Sequence, residues 1–151
     1  MIRFILAAMF LAALPARAAE PLKLVAVQAR LFFQHSGTLS KPLDDSTILH
    51  NVIIGEGGVP EPSRSLLATA IVEGKPGSYD EKWRVDFTAT DRETGKVIAR
   101  FAKDVGVLSD KGRYHVPFWL PETGCIPLVI TARIRGARAE AKRVVPFRCG
   151  E

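Results

Sequence analysis

Apolar and polar residues alternate with a period of two through most of this chain. In KWRVDFTAT, Trp83, Val85, Phe87 and Ala89 fall on one face and Lys82, Arg84, Asp86 and Thr88 on the other. That is the pattern of a strand with one buried face. DRETG then supplies a polar turn, and KVIARFA returns with Val97, Ala99 and Phe101 in phase, which predicts a hairpin. Upstream, LKLVAVQARLFFQ places Val25, Val27, Ala29, Leu31 and Phe33 on one face, opposite Gln28, Arg30 and Gln34. SLLATAIVEG reads as a mostly apolar strand stopped by Gly74, Pro76 and Gly77. Downstream, Tyr114, Val116 and Phe118 alternate, and CIPLVITARIR pairs with AEAKRVVPFRC through Gly136-Ala137.

About seven short strands separated by turns, with no amphipathic helix, predict an all-β fold. The expected architecture is an antiparallel β-sandwich of immunoglobulin-like or fibronectin-like type. A lipocalin-like barrel is the rival, but it wants a longer chain and eight long strands. The expected core joins Trp83, Val85 and Phe87 to Phe101, Tyr114, Phe118 and Leu128, with Lys82, Arg84 and Asp86 in solvent.

The N-terminus changes the compartment. Arg3 precedes an apolar run from Phe4 to Leu14, and PARA follows with Ala16 and Ala18 in the small-x-small arrangement of a signal-peptidase site. Residues 1–18 are expected to be a cleaved signal peptide and residues 19–151 a single periplasmic or secreted β-sandwich domain. The run is too short for a membrane span, which needs about 20 apolar residues. Cleavage removes Arg3 and Arg17 and brings the formal charge of +5 down to +3. So mild a charge argues against nucleic acid as partner.

Export puts the only two cysteines, Cys125 and Cys149, in an oxidising environment, where they are expected to form one disulfide across the last hairpin. Facing Ile126, Leu128 and Ile130 inward with Val145 and Phe147 needs a two-residue turn at Gly136-Ala137. That register puts the cysteines on opposite faces, so a one-residue bulge is expected near Pro127 or Pro146, where a ladder donor is already missing.

Candidate chemistry is sparse. His35, His50 and His115 lack metal-ligand spacing, so no metal or cofactor is expected. No Gly-x-Ser-x-Gly elbow occurs, and the adjacent Asp44 and Asp45 read as solvated loop acids. The least ordinary stretch is NVIIGEGGVPEPSRS, residues 51–65, which lacks the Lys-Ser/Thr of a phosphate loop. Asp44, Asp45, Glu56 and Glu61 gather acids there without the spacing of a calcium loop. The connection from His35 to Ser65 is longer than the roughly 12–15 residues of ordinary structureless loops, so ILHNVII is expected to supply a short strand. The segment reads first as an architectural crossover and second as a partner surface, with Asn51, Glu56 and Glu61 as candidate contacts. Arg133 and Arg135, with Arg138 and Lys142 nearby, form a second candidate patch for an anionic envelope component.

NVIIGEG, TGCIPLVITA and PFRCGE together resemble motifs of small exported bacterial proteins of unknown function. The resemblance covers about the last two-thirds of the mature chain and implies export and a disulfide-closed β domain, without assigning any site residue. The resulting expectation is a non-catalytic binding domain that meets another envelope or secreted protein through residues 51–65 or a sheet edge. The alternative is a hydrolase-type enzyme with loop-borne residues and His50 or His115 as base.

Overall fold

The computed structural model describes residues 22–44, 49–50 and 61–148. The expected signal segment, Asp45, Asn51, Glu56 and Cys149 lie outside these described residues. Within them the fold is an all-β sandwich of two antiparallel four-stranded sheets, with no helix. The first sheet contains β1 (Lys23–Phe33), β2 (Thr38–Leu39), β4 (Ser65–Glu73) and β7 (Arg113–Leu120), in the order β2-β1-β4-β7. The second contains β5 (Arg84–Asp91), β6 (Val97–Asp104), β8 (Leu128–Ile134) and β9 (Glu140–Val145), in the order β6-β5-β8-β9. A short parallel pair, β3 (Leu49–His50) with β10 (Phe147–Arg148), adds the strand expected within ILHNVII.

Alternation becomes packing because each strand buries every second residue. Val27, Ala29, Leu31 and Phe33 of β1 meet Leu66, Ala68, Ala70 and Val72 of β4 and Val116, Phe118 and Leu120 of β7. From the other sheet come Val85, Phe87 and Ala89, then Leu128, Ile130, Ala132 and Ile134, closed by Val145 and Phe147. A one-residue slip would turn a whole set of this kind outward, so the register is strongly specified.

Four expectations need correction. Val25 is 50% exposed because β1 is bulged between Leu24 and Ala26, which shifts the phase of the strand. Leu24 packs on the core in its place. Phe101 is exposed because β6 is the outermost strand of its sheet and little of the facing sheet reaches over it, and Val97 because the pairing shift at Ile98 sets it opposite Thr90, off the core face. Trp83 and Tyr114 only lean against the core, and Ile126 is exposed. The bulge expected near Pro127 or Pro146 does not fall within the β8–β9 ladder, which pairs without a shift from Leu128–Val145 to Arg133–Glu140 and ends before either proline. The chain leaves the ladder at Pro146, which has no N–H to donate, and Phe147 pairs with Leu49 instead.

Candidate functional site

Among the described residues, strand order leaves β6 and β7 as the free edges on one side of the sandwich, with the two strands in contact. Hydrogen-bond parity tells which peptide groups each edge presents. The Val105 N–H donates to the Trp83 carbonyl at 2.9 Å, and Arg135 N–H to the Arg84 carbonyl at 2.8 Å. Odd residues of β5 therefore serve β6, through the pairs Val85–Lys103, Phe87–Phe101 and Ala89–Ala99. The N–H and C=O groups of Arg100, Ala102 and Asp104 consequently point away from the sheet.

The same reasoning applied to β7 gives a different result. The Gly74 N–H donates to Gly112 O at 2.9 Å, so even residues of β7 bond to β4 and Pro117 falls on the free edge. A proline there withholds a donor and blunts the edge. β6 carries no proline.

The side chains of β6 give that open edge its chemistry. Lys96, Arg100 and Lys103 are exposed and make no ion pair among the described residues. The strand's acid, Asp104, is held by Arg84 at 3.2 Å. Phe101 points to the sandwich side and stacks on Phe118, leaving an apolar shelf at the open margin. Ile98 is the extra residue where the pairing shifts between Ala89 and Thr90, so the regular free edge begins at Arg100.

The residues expected from sequence are not gathered in one place. Asn51 and Glu56 lie outside the described residues. Glu61 accepts hydrogen bonds from the backbone N–H of Ser36, at 3.0 Å, and from its hydroxyl, which ties the crossover to the turn after β1. Its role here is architectural. Arg133 and Arg135 do stand on the outer face of the second sheet, but both are neutralised. Arg133 donates to Glu140 at 2.7 Å, and Arg135 spans the Asp86 carboxylate at 3.1 and 2.6 Å. Hydrogen bonds from Lys142 and then Arg133 hold the Glu140 carboxyl below its ordinary range. The Asp86 hydrogen bond raises the Arg135 guanidinium above its own.

Of the histidines, His50 lies in β3, His35 in the exposed turn after β1 and His115 on the exposed face of β7. Among the described residues no three His, Cys, Asp or Glu side chains approach closely enough to hold a metal ion. Sequence reasoning missed the β6 edge because strand order is not written in alternation. The signal that could have pointed to it was the run KVIARFAK, where three cations interrupt an apolar strand. No protein-family model matches this chain, and no curated protein shows significant similarity to it.

Proposed function

We propose that this chain is an exported, non-catalytic interaction module that takes an extended acidic segment of another envelope or secreted protein as an added strand beside β6. The observation that carries the reading is the open edge itself. Outward peptide groups at Arg100, Ala102 and Asp104 stand beside Arg100 and Lys103, which make no ion pair among the described residues, and the exposed Phe101 ring. In strand addition the main chain supplies affinity and alternate side chains supply specificity. A partner strand would lay apolar residues beside Phe101 on one face and set carboxylates beside Arg100 on the other. A second copy of the same edge is disfavoured, because it would oppose cation to cation.

The rest of the reading is consistent with export. Residues 1–18 serve as a cleaved signal peptide, and Cys125 and Cys149 close a disulfide. The absence of any free cysteine among the described residues supports the pairing. The fibronectin-like assignment rests on strand order: β1-β4-β7 faces β6-β5-β8-β9, three of the seven long strands against four.

A synthetic peptide of alternating valine and glutamate tests the proposal by amide chemical-shift titration. Saturable shifts centred on residues 98–104, weakened at least about tenfold by Arg100→Glu, are expected. Shifts elsewhere, or binding indifferent to Arg100→Glu, would overturn it.

A further inference from the structure

β4 reads SLLATAIVE, a mostly apolar run of the kind carried by strands buried on both faces. The sandwich covers only one of its faces. Leu66, Ala68, Ala70 and Val72 enter the core, whereas Leu67, Thr69 and Ile71 stand on the outer face of the first sheet. The outer face of the second sheet is different. Asp86, Thr88, Arg133 and Lys142 give it the polar surface of a solvated sheet.

Register lays out the apolar face in rows across β1, β4 and β7. Arg30, Leu67 and Trp119 form one row, and Gln28, Thr69 and Pro117 the next. Ala26, Ile71 and His115 form the third. At the first end Phe32 meets Trp119 edge to face across β4, with ring centroids 5.1 Å apart and planes at 70°. Leu39 pairs with Phe32 from β2. Trp119 stays 45% exposed in spite of the ring contact. Arg30 turns toward the β2 side, where it donates to the Ser40 carbonyl at 3.4 Å. At the other end stand Lys23, Glu73 and Arg113, with Glu73 held by Arg113. The face therefore has an aromatic end, an uncharged middle row and an end where cations outnumber acids.

We propose that this face packs against the same face of a second copy, about a two-fold axis crossing the strands at the Gln28–Thr69–Pro117 row. The strands of the two copies then run antiparallel, which the aligned packing of stacked sheets accommodates. Each end meets its opposite. Lys23 of one copy lies over Phe32 of the other, His115 over Trp119 and Leu67 over Ile71. Every such contact occurs twice, as an isologous interface requires. A cation over an aromatic ring is attracted to it, and an aromatic centre with charges at the margin is the usual anatomy of an interface. The other two-fold, along β4, would set Lys23 over Arg113 and is disfavoured by like charge.

The size of the face sets the strength of the pairing. Three long strands about 4.8 Å apart, with β2 at one corner, and the nine residues of β4 at about 3.4 Å each span roughly 16 by 30 Å. Two such faces bury on the order of 1,000 Å², the bottom of the range for specific interfaces. The dimer is therefore reversible. It leaves the β6 edge open, so it stands or falls independently of strand addition there.

Sedimentation velocity of the purified protein from about 1 μM to about 1 mM tests the face. A monomer–dimer transition is expected, with amide shifts on dilution centred on the outward residues of β1, β4 and β7. Trp119→Ser removes a ring from the contact and should weaken dimerisation about tenfold or more. Gln28→Lys should do the same, because the crossing axis opposes residue 28 to its own copy. It removes no packed ring, so it decides the matter even if Trp119→Ser fails to fold. Val144→Ser, on the outer face of the second sheet, should leave dimerisation unchanged. Weakening by Trp119→Ser without weakening by Gln28→Lys would overturn this two-fold, since an axis along β4 sets residue 28 over Pro117. A monomer at every concentration would mean that some other molecule covers the face, and it would overturn the proposal. Dilution shifts centred on residues 98–104, or equal weakening by Val144→Ser, would overturn it as well.

Discussion

Phe101 stacks on Phe118 with ring centroids 5.5 Å apart and planes 8° from parallel, yet Phe118 is 4% exposed and Phe101 42%. One ring belongs to the core, and the other is a shelf laid on it from an edge strand. Phe118 also meets Phe87, which is fully buried, at 5.1 Å. Truncating Phe87 or Phe118 to alanine should cost about 3–5 kcal/mol through lost burial and an unfilled cavity. Phe101→Ala removes mainly the pair contact and should cost about 0.5–1.5 kcal/mol. Arg84→Ala should stay within about 0.5 kcal/mol, because its contact with Asp104 is exposed to solvent. Denaturant melts of the four variants decide the ordering. A Phe101→Ala loss as large as that of Phe87→Ala would mean that β6 is covered in solution.

The contrast between these two rings also marks how far alternation can be read. Phe87 and Phe101 both sit in period-two runs of similar apolar content, and the sequence treats them alike. Their fates diverge because β5 lies between two strands and β6 does not, a property of strand order and not of either strand. Val25 escaped for a related reason, since a bulge changes phase without leaving a compositional mark. The central strands were legible because burial there depends on little beyond the alternation. Among site candidates, Arg133 and Arg135 were rightly placed on an outward face. Their partners Glu140 and Asp86 come from neighbouring strands and became visible only with the register.

Gly112 offers a test of local backbone demand. It has φ +70°, and a Cβ built there would lie 2.4 Å from the carbonyl oxygen of Gly74, a contact the backbone cannot yield cheaply. Gly136 has φ +80° with open space around it. Gly136→Ala should therefore cost about 1–2 kcal/mol, the left-handed penalty alone. Gly112→Ala should cost clearly more, and it should also disturb the Gly74 N–H bond to Gly112 O. Equal thermal shifts in the two variants would contradict the close approach of these strands.

The Glu140 carboxyl is held below its ordinary range by Lys142 and then Arg133. A carboxyl depressed in the folded state stabilises the fold above the unfolded pKa of about 4.3, and that contribution is lost as pH falls through the folded value. Glu140→Gln should lower stability slightly near neutrality and converge with the unaltered protein in strong acid. Carboxyl chemical-shift titration should give a Glu140 midpoint that rises in Lys142→Ala. A midpoint that does not move would exclude the hydrogen bond as the cause.

The cysteine pairing makes a separate claim. Unfolded protein recovered from an oxidising compartment should show no titratable thiol until a reductant is added. Reduction should lower stability by about 2–4 kcal/mol, mainly by freeing the denatured chain, without abolishing the fold. The buried faces of β1, β4, β5, β7 and β8 remain after reduction. Two reactive thiols before reduction would refute the disulfide.

Ala102 separates the open edge from the ladder behind it. Its N–H points away from β5, while those of Phe101 and Lys103 point toward it. Proline removes one N–H and fixes φ near −65°, so its effect depends on which way that N–H faces. Ala102→Pro should leave the sandwich folded, with a loss of no more than about 1 kcal/mol. Phe101→Pro deletes a ladder bond and should cost about 3 kcal/mol or more. If an added strand docks on β6, Ala102→Pro should also abolish the valine–glutamate peptide titration, although it alters no charge and removes no ring. Arg100→Glu would instead weaken that titration through charge. Loss of binding in both variants, with retained stability in both, is the pattern that main-chain pairing with an acidic partner requires. Undiminished binding by Ala102→Pro would mean that any contact with β6 is made by side chains alone.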